Sequence, residues 1–208
     1  MNSTLSVRLL AAAAMAAGSL AIAAPAGSQQ MPTPARDYKA APAGKYAIDP
    51  HHTGLVARVP HVGFSYSIFR FETVSGTLTW DPANPRADSL SVTVDPKSIA
   101  TAPVPGFSDE INQKFLHSDK FAEATFVSTA FHPDGPDKGA VEGDLTLMGV
   151  TKHVTFHVDL VGAGKGMRGA PVIGVTARTE LDPSAYGLPK FITGPIELVI
   201  DSEFDGQG

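Results

Sequence analysis

Gly143-Asp-Leu-Thr-Leu-Met-Gly-Val-Thr-Lys-His-Val-Thr-Phe-His-Val158 decides the fold. Before its middle, Leu145 and Leu147 alternate with Asp144 and Thr146. After it, Val154, Phe156 and Val158 alternate with Thr155, His157 and Asp159. Alternation with period two describes a strand with one buried and one wet face. The link Met148-Gly149-Val150-Thr151 is far shorter than a parallel crossover requires, so the pair is an antiparallel hairpin. Gly149 supplies the positive φ that a tight reversal needs.

The same grammar extends in both directions. Upstream, it predicts strands over Gly54–Val59, Phe71–Trp80, Leu90–Asp95, Ala124–Phe131 and Gly139–Met148. Downstream, Val154–Val161, Pro171–Leu181 and Ile196–Phe204 complete a set of eight. Asp81-Pro-Ala-Asn-Pro85 and Pro133-Asp-Gly-Pro136 are turns. One interruption stands out, between Asp95 and Ala124. There Ser108 is placed to cap a short helix, with Asp109 and Glu110 in its first turn and Ile111 and Phe115 on one face. A long connection of this kind, Pro103–Leu116, is expected to form a lid over one rim.

Eight consecutive antiparallel strands joined mainly by hairpins predict an all-β, up-and-down, lipocalin-like barrel with one short helix. A two-sheet sandwich would share the periodicity but needs a Greek-key connection that the run of hairpins does not offer. Inward positions come from several strands. Leu78, Trp80, Leu90 and Val92 lie in the first half, and Phe126, Leu145, Leu147 and Phe156 in the middle. Ile196 and Leu198 come from the last strand.

Residues 1–23 lie outside this pattern. One early charge, Arg8, precedes an apolar run from Leu9 to Ile22, and Ala21-Ile-Ala23 has the form of a cleavage site. This predicts a cleaved signal peptide and export rather than a membrane span. Residues 24–44, rich in Pro, Ala and Gly, read as a flexible linker, and residues 45–208 as the folded domain. Some 160 residues are enough for a sizeable core (~100–200 per domain). No cysteine is present, so no disulfide supports the exported domain. The net charge of −5 becomes −6 once the leader and its single charged residue, Arg8, are removed. That balance gives no electrostatic footprint for nucleic acid.

Several stretches together resemble the YceI family. Tyr46-Ala-Ile-Asp49 with His51-His52 is similar to its D-x-x-H-S element. Val59-Pro-His61-Val-Gly63-Phe-Ser is similar to K-H-x-G-x-S, and Gly76-Thr-Leu-Thr-Trp-Asp81 to the end of its long G-x-F element. Asp95–Thr101, Phe115-Leu116, Lys120-Phe121, Ala124-Thr-Phe126 and Gly143–Lys152 continue the match, and Pro183-Ser-Ala-Tyr-Gly187 is similar to R-S-x-F-G. Departures fall at Phe69, Ala122, Pro183 and Pro103–Gly106. The resemblance implies a barrel in the periplasm of a Gram-negative bacterium. It implies a long amphiphile inside, a polyisoprenoid or isoprenoid quinone, and no other cofactor. It also brings a stress-response role, transient contact with inner-membrane proteins and a homodimer within expectation. His52, His61, Phe115 and Tyr186 are the residues expected at the mouth or at a ligand head-group.

Other chemistry is weakly signalled. Seven histidines are present, but there is no H-E-x-x-H and no cysteine partner, so no metal site is expected. His153 and His157 fall on the outward face of their strand. Without G-x-S-x-G or G-x-x-x-x-G-K-[ST], neither a nucleophile elbow nor a phosphate loop is indicated. Asp49, Asp81 and Asp95 read as turn residues. What the resemblance implies is binding, storage or transport of a long-chain lipid, and catalysis is not expected. The competing readings are a barrel-pocket enzyme acting on a small apolar ester or isoprenoid, and a structural stress protein with a filled barrel.

Overall fold

A computed structural model describes residues 31–207. The expected signal peptide lies outside the described residues. The strands are β1 (Gly44–Ile48), β2 (Gly54–His61), β3 (Ser65–Phe71), β4 (Val74–Trp80), β5 (Ser89–Val94) and β6 (Ile99–Ala100). They continue with β7 (Ala124–Asp134), β8 (Lys138–Leu147), β9 (Val150–Lys165), β10 (Pro171–Leu181) and β11 (Ile196–Gly206).

These eleven segments make eight staves. β1 and β2 both run antiparallel to β11, one along each half of it, so they form one stave broken at Asp49–Thr53. β3 pairs with β2 and β4 with β1, giving a second stave broken at Glu72 and Thr73. β5 pairs with β4 and β6 with β3, giving a third, broken by a 3₁₀ turn at Pro96–Ser98. β7 to β11 follow unbroken, and β11 returns to the first stave. The result is a closed antiparallel up-and-down barrel, as expected. Eight staves coincide with the eight strands read from the alternation; the halves β1, β3 and β6 were not visible there.

Local chemistry explains the joints. The reversal after β8 is tighter than the sequence suggests. Leu147 pairs directly with Val150, leaving only Met148 (φ 50) and Gly149 (φ 75) in the loop. Two consecutive positive φ values are the pattern of a type I′ turn, whose twist matches that of the strands it joins. Asp49, Asp81 and Asp95 each accept the backbone N–H two residues on, at 2.8, 3.0 and 2.8 Å, confirming them as turn residues. Gly76 and Gly143 sit where strands approach closely. A Cβ on Gly143 would lie 2.5 Å from the ring of Phe126.

Two expectations need correction. Ser108 does not cap the helix α1 (Phe107–Ile111). Gly106, with φ 77, occupies that place, and the Ser108 hydroxyl hydrogen-bonds that of Thr101 at 3.0 Å. A π turn over Asn112–Leu116 extends the helix. The described part of the expected linker, residues 31–44, is also laid against the barrel. Ala35 exchanges hydrogen bonds with Ala163, and Tyr38 donates its N–H to Pro136 O at 2.9 Å. Ala41 is fully buried, because small Pro/Ala side chains let this backbone pack closely on the sheet.

Candidate functional site

Inward side chains do not fill the barrel. They enclose a cavity of about 510 Å³ whose wall is almost wholly apolar. All ten inward positions read from the sequence line it, from Leu78 and Trp80 to Ile196 and Leu198. The wall is wide because bulky residues share it with small ones: Ala57, Ala124, Ala140 and Ala177 stand among Phe126, Phe156 and Leu145. Phe126 and Phe156 pack edge to face, with centroids 5.1 Å apart.

The up-and-down path makes the two ends chemically different. The β2–β3 turn, the connection 101–123, the β8–β9 turn and the connection 182–195 all fall at one end, the mouth. Phe107, Ile111 and Phe115 from α1 and its π extension line the cavity there. Phe107 leans on Phe69, and Phe115 meets Phe191 edge-on at 6.0 Å. The lid segment expected from the sequence therefore lies at this end of the cavity. The opposite end is floored by Tyr38 and Trp80, edge to face at 6.1 Å.

Polar groups on the wall are few. Asp88 stands at the floor, its Oδ1 accepting the Asp81 N–H at 2.6 Å; burial pushes its carboxyl up to about 6. Tyr186, 4% exposed, lines the wall near the mouth, and burial raises its hydroxyl above the usual phenol range. His61 borders the mouth and is exposed, and Phe115, in the π extension of α1, lines the cavity at the same end.

His52 does not join these three. It lies outside the barrel at the break between β1 and β2, its Nδ1 2.7 Å from Asp49 and 3.8 Å from Glu203. These three side chains are close enough to share an ion, but they are separated from the cavity wall. Hydrogen bonding to Asp49 raises the His52 imidazole, and the same bond lowers the Asp49 carboxyl. His153 and His157 are exposed on the outer face, as expected, with His153 3.2 Å from Asp144. Sequence reasoning missed Tyr38, which the composition of its segment assigned to a linker, and Asp88, which lies in a polar turn.

The profile of the YceI-like domain matches residues 46–204. The chain belongs to the YceI-like family. A UPF0312 protein of Shewanella sp. (strain ANA-3) is 33% identical over 171 residues, 81% of this chain and 89% of its own. Among solved structures, the YCEI protein of Campylobacter jejuni matches this YceI-like chain with a TM-score of 0.64 at 23% identity, covering 73% of this chain and 91% of that one. A polyisoprenoid binding domain from Saccharophagus degradans implicated in plant cell wall breakdown gives a TM-score of 0.59 at 13% identity, covering 78% and 98%. Identities this low establish a shared barrel only.

Proposed function

We propose that this YceI-like protein holds one long amphiphilic lipid, a polyisoprenoid or isoprenoid quinone, inside its barrel, and that it works in the periplasm after export. One observation carries the reading: an almost wholly apolar cavity of about 510 Å³ inside a closed barrel. Ligand sites typically span roughly 300–1,000 Å³. Leaving such a volume open forgoes on the order of 12 kcal/mol of packing at ~24 cal/mol per Å³, comparable with the whole stability of a domain. Larger side chains at Ala57, Ala124 or Ala177 would recover part of it. A hydrocarbon chain of about twenty carbons recovers a gross ~16 kcal/mol at ~0.8 per methylene, against the cost of ordering it. The polyisoprenoid binding named for the Saccharophagus degradans domain supports the same ligand class.

The wall favours holding over reacting. Of its ionisable side chains, His61 and Tyr186 stand at the mouth and Asp88, His132, Asp137 and Lys138 toward the floor, where Asp137 pairs with Arg36 and His132 with Glu142. General acid–base chemistry needs such groups within hydrogen-bond reach of one reacting centre. Mass spectrometry of an organic extract of the purified protein tests the reading. A prenyl-chain lipid at one per barrel is expected, together with its loss from Leu147→Asp. An empty barrel that turns over apolar esters would replace the carrier with an enzyme.

A further inference from the structure

The mouth differs from the floor in what it shows to solvent. Phe64, at the tip of the β2–β3 turn, is 90% exposed. Val62 on the same turn, Val104 in the connection before α1 and Phe191 in the connection before β11 are each at least half exposed. Three separate connections thus raise apolar side chains around one opening. Val62 and Phe191 also line the cavity, so an apolar path runs from the interior to the outside without a polar ring between. The opposite rim exposes Asp134, Lys138 and Arg168 around Met167.

Backbone strain marks the same rim. Val62 has φ 43 and Met148 φ 50, both in the left-handed region. Asn, Asp or Gly occupies such a place at little cost, whereas a β-branched residue is a steric outlier there. Both hairpin tips at the mouth therefore keep an apolar side chain where a polar one or none would be less strained. Met148 packs partly against the core, whereas Val62 is half exposed and recovers little of its strain by packing.

We infer that the mouth docks on the surface of a lipid bilayer, with the Val62–Phe64 tip, Val104 and Phe191 entering the interface. The choice of partner rests on the lipid-binding reading: a long-chain lipid resides in a membrane, and the apolar path leads from the cavity to that surface. Isolated apolar side chains on separate tips suit a fluid interface, into which each can sink independently. A second copy seated on this rim would cover the cavity's own entrance. Charge does not drive the contact. The segments at the mouth expose both signs, His61 and Lys190 as well as Asp109 and Glu110, and Glu110 is paired with Lys114 at 2.9 Å. Nor does a helix: among the described residues none is long and apolar enough to cross a membrane.

Flotation with phosphatidylcholine vesicles tests this. The exported chain, from residue 24 onward, should float equally at about 0.1 M and about 1 M salt, although the Debye length falls from about 10 to about 3 Å between them. Phe64→Ser with Val104→Ser, neither of which lines the cavity, should reduce flotation at least about tenfold. Its melting curve and its uptake of decylubiquinone from water should match the parent. Its uptake of the same quinone from vesicles should slow in proportion to the lost flotation. A parent that takes up the quinone from water but does not float overturns the docking and leaves the lipid-binding reading intact. So does a double variant that floats like the parent, or a parent that uses these residues only to dimerise. A parent that floats but binds no quinone preserves the docking surface and counts against the ligand.

Discussion

The two halves of the barrel are built differently. From β7 to β11 the staves are unbroken, ten to sixteen residues long, and the β8–β9 hairpin turns on two residues. From β1 to β6 every stave is interrupted, and the interruptions are neighbours. Asp49 donates its N–H to Glu203 O at 2.9 Å, and Asp95 donates to Thr73 O at 3.0 Å. The Ser98 hydroxyl accepts from Thr73 N–H at 2.9 Å while donating to Asp95 O at 2.7 Å. A single seam therefore crosses three staves, held by turn side chains together with a few backbone bonds in place of a continuous ladder. The unbroken half resists change through packing. The seamed half bends sharply and hands its upper segments, β2, β3 and β6, to the mouth.

The largest effect that separates the halves should come from Phe126→Ala. Phe126 is buried, stacks against Phe156 and lies under Gly143. Its loss should cost about 3–5 kcal/mol in a denaturant titration; a loss below about 1 kcal/mol would mean that this half is not the scaffold. Gly149→Val comes next. A β-branched residue at φ 75 is strained, and its Cβ would meet the Phe121 ring at 2.8 Å. The expected cost is about 1–3 kcal/mol, read as an earlier melt; a curve that superimposes on the parent would show the turn to be tolerant. In the seam, Ser98→Ala removes a hydroxyl that bridges two staves. It should cost only about 1 kcal/mol overall, yet amide exchange at Glu72 and Thr73 should quicken while β8 and β9 stay protected. Uniform acceleration would erase the distinction between the halves.

The smallest effect is electrostatic and sits at the seam's edge. His52 is raised above its ordinary 6.5 chiefly by its bond to Asp49. Its contribution to stability is then fully present below 6.5 and fades as pH rises through the higher folded value. Asp49, lowered by the same bond, contributes above its ordinary 3.8, and that contribution fades as pH falls through its lower folded value. An NMR titration of the His52 ring should show a midpoint above 6.5 that Asp49→Asn brings back down. A midpoint at or below 6.5 in the parent would mean the pair does not form in solution.

The same division explains what the residues alone could reveal. Staves were legible where one face is apolar and the other polar, as in Leu145 and Leu147 against Asp144 and Thr146. β3 escaped because Tyr66 and Ile68 face solvent while Phe69 and Phe71 line the cavity, so both faces are apolar and the period vanishes. β1 escaped because Lys45 and Ala47 flank Tyr46 without a polar rhythm. Inward positions followed from alternation, and all ten reached the wall. The floor could not follow from it, since Tyr38 comes from a segment with no periodicity. His52 was expected at the mouth because it shares a motif with Asp49, but the break after β1 turns it outward, away from the wall.

That floor sets a length. The far end of the cavity is closed by Tyr38, brought in by the chain before β1 and braced on Trp80. The stopper is therefore not part of the ladder that defines the barrel, and its depth can change without disturbing a single strand pair. A shorter residue at position 38 deepens the bore, and a displaced segment would convert a cup into a tube. On the lipid-binding proposal, the length of chain that fits is set by a few residues ahead of the first strand. Selection can move it like the sliding jaw of a caliper, while the rest of the protein stays fixed.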